Sequence, residues 1–441
     1  MDTGVSGWEA LSSRTFPAKA LAGDINADWL IIGAGFAGLS AARRLSQTRP
    51  SERIVILEAS EIAKGPAGRN SGFMIDVPHN LSSGEYSVAD AASTKLEIAQ
   101  NRLAIQFAAD AAAEYGMCQA TFDPSGKINA AASPRGMALN ENYARSLTGI
   151  DEKYEKYDAR IMQEITGTDY YSGGLYTPGC ALIQPADYIH AFAGGLKDRV
   201  SIFERSPVRE LAQTGQDWKA GTDQGSVTAP KVIIAVNGFI QEFGFFRGRL
   251  MHIFTYASMT APLPTGKSGP YGAGHPQWAL LPADPMGATV RKIVSQGQPR
   301  IVIRTRFTYD PKMQVSEKRV ASVARQQKRS FAARFPEFVD IPMQYSWAGR
   351  LCLSRNHVPA FGEIEEGLYS ACCENGLGTV KSTLAGMMAA DLAAGVDFPE
   401  LSTFANQPAP TRVFPGMPDI ITELGANSVI RLQEIRAGRE K

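Results

Sequence analysis

Asp28-Trp29-Leu30-Ile31-Ile32-Gly33-Ala34-Gly35-Phe36-Ala37-Gly38-Leu39 decides how this chain reads. A short apolar run stops at three glycines spaced G-x-G-x-x-G, and Leu39 to Leu45 continues with helical spacing. Strand, tight turn and helix are therefore expected in that order. The three glycines act differently, in that Gly33 turns the chain, Gly35 lets backbone approach a pyrophosphate, and Gly38 lets helix and strand close up. Phe36 and Ala37 stand inside the turn, where a helix N-terminus offers unpaired N–H groups to phosphate. A second apolar run, Ile54-Val55-Ile56-Leu57, ends at Glu58, followed by Ala59. An acid about 20 residues past the last glycine is placed to accept ribose hydroxyls, which predicts FAD or NAD rather than NADP.

The rest of the composition narrows the alternatives. A chain of 441 residues with 44% hydrophobic content has room for two domains and a substantial core. Its formal net charge of +1 leaves no large field of one sign, so nucleic acid is not an expected partner. The N-terminus shows no basic segment followed by an apolar run, and no stretch is apolar for long enough to span a bilayer, so the expectation is a cytoplasmic protein. Five cysteines without C-x-x-C, and His79, His190, His252, His275 and His357 without ligand spacing, predict neither a disulfide framework nor a metal site.

Taken in order, residues 1 to about 27 read as an arm on the domain surface, carrying Trp8, Leu11 and Phe16. Lys64 to Phe73, dense in glycine and small polar residues, reads as a loop that brings backbone amides against a flat ligand. A long helix is expected over Ala89 to Tyr115, stopped by Gly116, and a second over Asn140 to Tyr157. This part leaves the nucleotide-binding pattern, as an inserted domain would. Val208 to Leu211, Trp218 to Gly221 and Gly225 to Thr228 predict a small antiparallel meander. Lys231 to Gly238 then reads as a buried strand ending in a turn. His252 to Pro262 and Arg300 to Phe307 are strand-like, the latter with arginines interleaved among apolar residues, where a carboxylate would be bound bidentately or the sheet edge simply solvated. Ser316 to Phe335 reads as a basic surface helix. A strand at Gly367 to Ala371, the turn Glu374-Asn375-Gly376-Leu377-Gly378-Thr379 and the small-residue helix Lys381 to Ala394 repeat the strand, glycine turn, helix pattern. A helix N-terminus there favours negative charge on a ligand.

The Gly33-to-Gly38 turn, the Gly68-to-Gly72 loop, the Val232-to-Gly238 strand and the Gly376-to-Thr379 turn together resemble one family. The chain is similar to the D-amino-acid oxidase and glycine/sarcosine oxidase flavoproteins, in the branch of gamma-glutamylputrescine oxidase-like enzymes. The resemblance implies an α/β (α+β overall) architecture with a Rossmann-like FAD-binding domain and a discontinuous substrate domain built on an antiparallel sheet. The FAD domain is expected from 1–80, 170–240 and 345–400, the substrate domain from 81–169 and 241–344, and a C-terminal extension from 401–441. By the same resemblance Gly33, Gly35, Gly38 and Glu58 hold the ADP half of FAD, and Arg69, Asn70, Ser71 and Gly72 run along the flavin. Val208 and the Asn237-Gly238 turn join the cofactor contacts, and Gly376, Leu377, Gly378 and Thr379 approach the pyrimidine edge. Relatives often carry Gly-His-Gly where Gly376-Leu377-Gly378 stands, and no histidine or cysteine stands at a position that would attach the flavin covalently, so a non-covalent flavin is expected; separately, Asn356 stands before His357 where relatives commonly have an aspartate.

The activity implied is oxidation of the C–N bond of an amino acid or amine, with flavin N5 taking a hydride, the imine hydrolysing, and oxygen or another acceptor reoxidising the flavin. Tyr256, Arg306, Arg350 and His357 are the candidate substrate contacts, each on a segment expected near the flavin. Two alternatives stand beside it: oxidation of a 2-hydroxy acid on the same fold, and a flavin-binding subunit of a redox complex.

Overall fold

The computed structural model describes residues 3–12, 16, 19–78, 91–264, 274–396, 407–414, 416 and 419–441. His79 and the first two residues of the helix expected from Ala89 lie outside them.

The apolar tetrapeptides become the centre of a six-stranded sheet. Its order is Val200–Phe203, Ile54–Leu57, Trp29–Ile32, Lys231–Ile234, Leu368–Cys372 and Ala360–Glu365. The first five run parallel and the last antiparallel. Strands buried on both faces read as unbroken apolar runs rather than alternating ones. Trp29, Ile31, Ile54, Ile56 and Ile233 face one core, shared with the helices Phe36–Thr48 and Gly378–Ala394. Leu30, Ile32, Val55, Leu57, Val232 and Ile234 face the other, under Trp218, Ala220 and Val227. Those last three belong to the expected meander, Glu210–Thr214, Asp217–Thr222 and Gly225–Ala229, to which Gly23–Asn26 adds a fourth, parallel strand.

The second layer is an eight-stranded sheet in the order Met343–Ser354, Leu250–Thr260, Gln298–Tyr309, Thr289–Ser295, Trp278–Pro282, Lys127–Ala131, Gly173–Thr177, Glu155–Asp158. All its pairings are antiparallel except that of Trp278–Pro282 with Lys127–Ala131. The basic helix, Glu317–Arg334, covers one face, with Val320 and Val323 against Phe254 and Tyr256. The other face turns toward the first sheet and carries Ala257, Met259, Val302 and Trp347 into the core of its helices. Among the described residues no helix is long and apolar enough to cross a membrane.

Two segments differ from expectation. The N-terminal arm is not laid on the surface: Gly7–Ala10 is a short helix and Trp8 is 1% exposed, edge-on to Trp347. A tryptophan that meets another tryptophan and a free carbonyl is worth more buried than a polar arm is worth solvated. The helix expected at 140–157 starts at Pro134, capped by Ser133, and ends at Gly149, leaving Glu155–Asp158 as an edge strand. Pro134 at the first helical position and Ser133 before it supply the start signal.

Candidate active site

The parallel strands bring their carboxyl ends to one edge, so Glu58, Gly33, Ala235 and Cys373 follow one another across it. Crevices at such ends, where the strand order reverses, are where open α/β sheets bind ligands. Gly33 has φ +104°, a conformation side chains rarely adopt. A Cβ on Gly38 would lie 1.8 Å from the Gly33 carbonyl oxygen, whereas one on Gly35 would meet only the Ala67 side chain, at 3.7 Å. The turn is thus shut on its helix side and open on its outer side. No side chain caps the helix at Gly35, and its first N–H groups stay available to a ligand. Phe36 stacks on Tyr188 at 5.8 Å, and a Cβ at Gly386 of the second turn's helix would meet the Ala37 carbonyl at 2.1 Å.

Glu58 reaches back to the same turn. Its Oε2 accepts the Ala34 N–H at 2.9 Å and its Oε1 the Ser60 N–H at 3.0 Å. Burial raises its pKa, the backbone donors pulling the other way. The Ser206 N–H donates to the Glu58 carbonyl at 2.9 Å, and Val208 packs half-buried on the core that contains Leu57, so this segment borders the Glu58 end of the crevice.

The 65–73 loop is held from below by charges. Arg69 is 7% exposed and donates to the carbonyls of Ala348 at 2.9 Å, Thr3 at 2.8 Å and Gly4 at 2.6 Å. Trp347 Nε1 donates to the Arg69 carbonyl at 3.0 Å and Trp8 Nε1 to that of Asn70 at 2.9 Å. Asn70 Oδ1 accepts the Gly72 N–H at 2.8 Å, closing a local turn. Arg291 donates through Nη1 to the carbonyls of Ser71 at 2.9 Å, Gly72 at 3.2 Å and Ile183 at 2.9 Å, with its guanidinium 5.2 Å from the Trp8 ring and 5.6 Å from that of Phe73. Burial pushes its pKa down to about 10. Sequence reasoning missed Arg291; the only available signal was an arginine in the alternating strand Thr289–Ser295.

At the far side of the crevice, Asn237 has φ +53° and a buried Oδ1 without a hydrogen-bond partner among the described residues. Gly238 is fixed by His252, whose ring would lie 2.5 Å from a Cβ there. Burial lowers the His252 pKa to about 4, with the Arg350 charge adding to it, so the imidazole is neutral near neutral pH. The second glycine turn has Asn375 at φ +53° and Gly376 at φ +93°, and Leu377 begins the next helix without a side-chain cap. Thr379 donates its hydroxyl to the Phe73 carbonyl, tying this turn to the first loop. Lys381 pairs with Glu97 at 2.6 Å. Two uncapped helix ends, an open position at Gly35 and an orphaned amide at Asn237 fit a flavin dinucleotide lying across the strand ends.

Glu374, one residue before that turn, is 5% exposed. Burial raises its pKa to about 7 against a hydrogen bond from Ser382. A carboxyl whose folded pKa lies above its unfolded value adds stability below about pH 4.5, and that stability is lost as pH rises through about 7. Glu374→Gln, neutral throughout, is expected to flatten this dependence by about 3 kcal/mol. Denaturation midpoints of both proteins at pH 5 and pH 8 check it: equal pH sensitivity would refute the assignment.

The structure does not bring the four substrate candidates around one point. Tyr256 is 1% exposed beneath the Glu317–Arg334 helix and bonds Thr308 Oγ1 at 2.7 Å. Arg306, the bulged residue at φ +68° opposite Thr255 and Tyr256, pairs with Glu434 of the C-terminal helix. Arg350 lies 4.2 Å over the Phe239 ring, and His357 is exposed in a turn at φ +57°. Arg304, two residues before Arg306, occupies the position they leave. It pairs in register with Ala257 and Thr289 and shares the face of Val302, the one turned toward the crevice. Next along that face, Trp347 touches the Arg69 carbonyl, and a Cβ at Gly349 would lie 3.1 Å from the same oxygen. Arg304 leans 5.0 Å over Phe307, and its Nη1 is buried without a hydrogen-bond partner among the described residues. Burial lowers its pKa to about 10, so it stays charged.

Comparison with known proteins agrees with this geometry. The chain is 23% identical to the probable oxidoreductase OrdL of Haemophilus influenzae, covering 91% of this chain and 90% of that protein. It is 24% identical to gamma-glutamylputrescine oxidoreductase of Escherichia coli over 91% of each. The fold of glycine oxidase from Geobacillus kaustophilus superposes with a TM-score of 0.69 at 19% identity, over 88% of this chain and 99% of that one. Residues 28–392, strand ends, glycine turns and both sheets included, match the family described as DAO, FAD dependent oxidoreductase. The chain is an FAD-dependent oxidoreductase and belongs to the DAO family.

Proposed function

We propose that this enzyme oxidises the C–N bond of an amine that also carries a carboxylate, with FAD seated across the strand ends of the domain formed by 1–80, 170–240 and 345–400. The observation that supports the carboxylate is Arg304: a buried guanidinium nitrogen with no partner among the described residues, on the face turned to the flavin loop. Leaving such a donor unmade costs about 1–3 kcal/mol, which a bidentate carboxylate recovers. The similar proteins named for glycine and for gamma-glutamylputrescine act on compounds that contain both groups. When bound, FAD supplies the acceptor for a hydride from the carbon that bears nitrogen.

The chain's own residues do the rest. Arg304 fixes one end of the substrate, and Ala257, paired with it in register, leaves room beside it because it carries no large side chain. The apolar wall of Ala257, Phe307 and Leu351 disfavours an ammonium and lowers the amine pKa, so the nitrogen reaches its reactive neutral form. Arg69 and Arg291 hold the loop against which the flavin lies.

The test is an anaerobic visible spectrum of the purified protein before and after pools of amino acids, N-alkyl amino acids, amines lacking a carboxylate, and 2-hydroxy acids. Bleaching of the flavin bands by a carboxylate-bearing amine pool, with release of ammonia or alkylamine, is expected. Bleaching by carboxylate-free amines alone overturns the anchor, and bleaching by 2-hydroxy acids alone overturns the C–N chemistry.

A further inference from the structure

The C-terminal helix Asp419–Arg436 is anchored by one face. Thr422 and Glu434 are inaccessible, Ala426 and Ile430 pack on Ile253, Phe307 and Tyr309, and Asn427 exchanges hydrogen bonds with the Tyr309 backbone at 3.0 and 2.9 Å. Glu434 accepts from the Phe307 N–H at 2.9 Å and pairs with Arg306, Arg431 and Lys441. The opposite face is apolar too, and nothing among the described residues covers it. Ile420, Ile421, Leu424, Val429, Leu432 and Ile435 are each more than half exposed. Together they present about 600 Å² of apolar surface, the upper end of what a monomer shows. An apolar stripe on the outer side of a helix already anchored by its inner side is a surface to be covered.

We propose that this outer face pairs with the same helix of a second copy of the chain, across a two-fold axis at Ser428. Three observations carry the choice of occupant. First, the stripe is symmetric about Ser428: Ile421 and Ile435 stand seven residues to either side and Leu424 and Leu432 four, so an antiparallel copy sets Ile421 on Ile435 and Leu424 on Leu432. A two-fold contact must be self-complementary in this way. Second, the residues at the crossing are small, Gly425 and Ser428, which lets two helices approach closely. Third, Glu423 stands near the start of the helix and Arg436 in its last turn, so antiparallel pairing brings the acidic end of one helix to the basic end of the other and opposes the dipoles. Full coverage of these side chains on both copies would take up about 1,200 Å², which is the lower bound of a specific stable interface.

The same helix holds Arg306 through Glu434, two residues from Arg304, so the dimer contact backs the end of the sheet that carries the proposed substrate anchor.

Sedimentation analysis of the full-length flavoprotein at tens of micromolar tests the pairing. The wild type is expected to be a dimer. Leu424→Lys and Leu432→Glu, both at exposed positions, are each expected to weaken association about 100-fold while leaving flavin content unchanged. The double variant places each new lysine against the partner's new glutamate and is expected to dimerise again. A monomeric wild type overturns the proposal, as do single variants that remain dimeric, a double variant that remains monomeric, or monomers that sediment with anionic phospholipid vesicles. Flavin content is read in every sample, so a failure of the FAD assignment is seen separately.

Discussion

Gly35→Val is expected to give a folded but colourless protein. Gly35 has φ −85°, which any residue adopts, and a Cβ there meets only the Ala67 methyl at 3.7 Å. The polypeptide therefore tolerates the side chain. The dinucleotide does not, because valine's methyl groups fill the space through which a pyrophosphate reaches the backbone amides of the turn. Two charge-assisted hydrogen bonds lost at about 2 kcal/mol each weaken FAD binding about a thousandfold. Gly38→Val is the contrasting case: its Cβ falls 1.8 Å from the Gly33 carbonyl oxygen and 3.0 Å from its carbon, both backbone, so the helix itself is displaced. Flavin absorbance after desalting, read beside the thermal midpoint, separates the two. Gly35→Val should lose colour and keep its midpoint; Gly38→Val should lose both. Stoichiometric flavin in Gly35→Val would remove the pyrophosphate from this turn.

That contrast also shows why one half of the molecule was legible in the sequence and the other was not. The glycine turn is a local object: the strand before it, the helix after it and the acid at Glu58 lie within about 30 residues of one another, the size of one βαβ unit. The parallel strands were readable because burial on both faces leaves an unbroken apolar run, as in Ile54 to Leu57. The supports of the 65–73 loop were not readable, since each is a remote backbone carbonyl meeting a side chain. Trp8 reaches Asn70 across 62 residues and Arg291 reaches Ser71 across 220. No periodicity encodes such pairs.

The substrate side failed for a related reason. Alternation along Arg300 to Phe307 put Arg300, Val302, Arg304 and Arg306 on one face, and Arg306 looked as good as Arg304. A bulge opposite Thr255 and Tyr256 turns Arg306 into φ +68° and delivers it to Glu434, 128 residues away. One extra residue in a strand re-aims everything beyond it. The arginine before the bulge kept the orientation the period predicts.

Arg304→Met is accordingly expected to abolish most activity while making the protein slightly more stable. Methionine keeps the apolar stem that leans on Phe307 and removes the orphaned charge, so the free enzyme loses a desolvation cost of about 1 kcal/mol and makes no new unpaired group. The substrate complex loses the partner of a buried carboxylate, which costs about 2–5 kcal/mol, a fall in kcat/KM centred on about four hundredfold. Most of that should fall in KM if the carboxylate is held equally in ground and transition states, and in kcat as well if it aligns the carbon for transfer. Arg304→Lys keeps the charge without the planar fork and should recover part of the loss. A carboxylate-free analogue, poor with the wild type, should react equally with Arg304→Met, because neither enzyme has anything to gain from the anchor. Steady-state kinetics with both substrates, thermal midpoints and flavin content decide it. A structural arginine would lose stability on truncation, a cofactor-binding one would lose flavin, and only a substrate anchor loses kcat/KM while the midpoint holds or rises. Retention of kcat/KM within threefold would move the anchor elsewhere on the sheet.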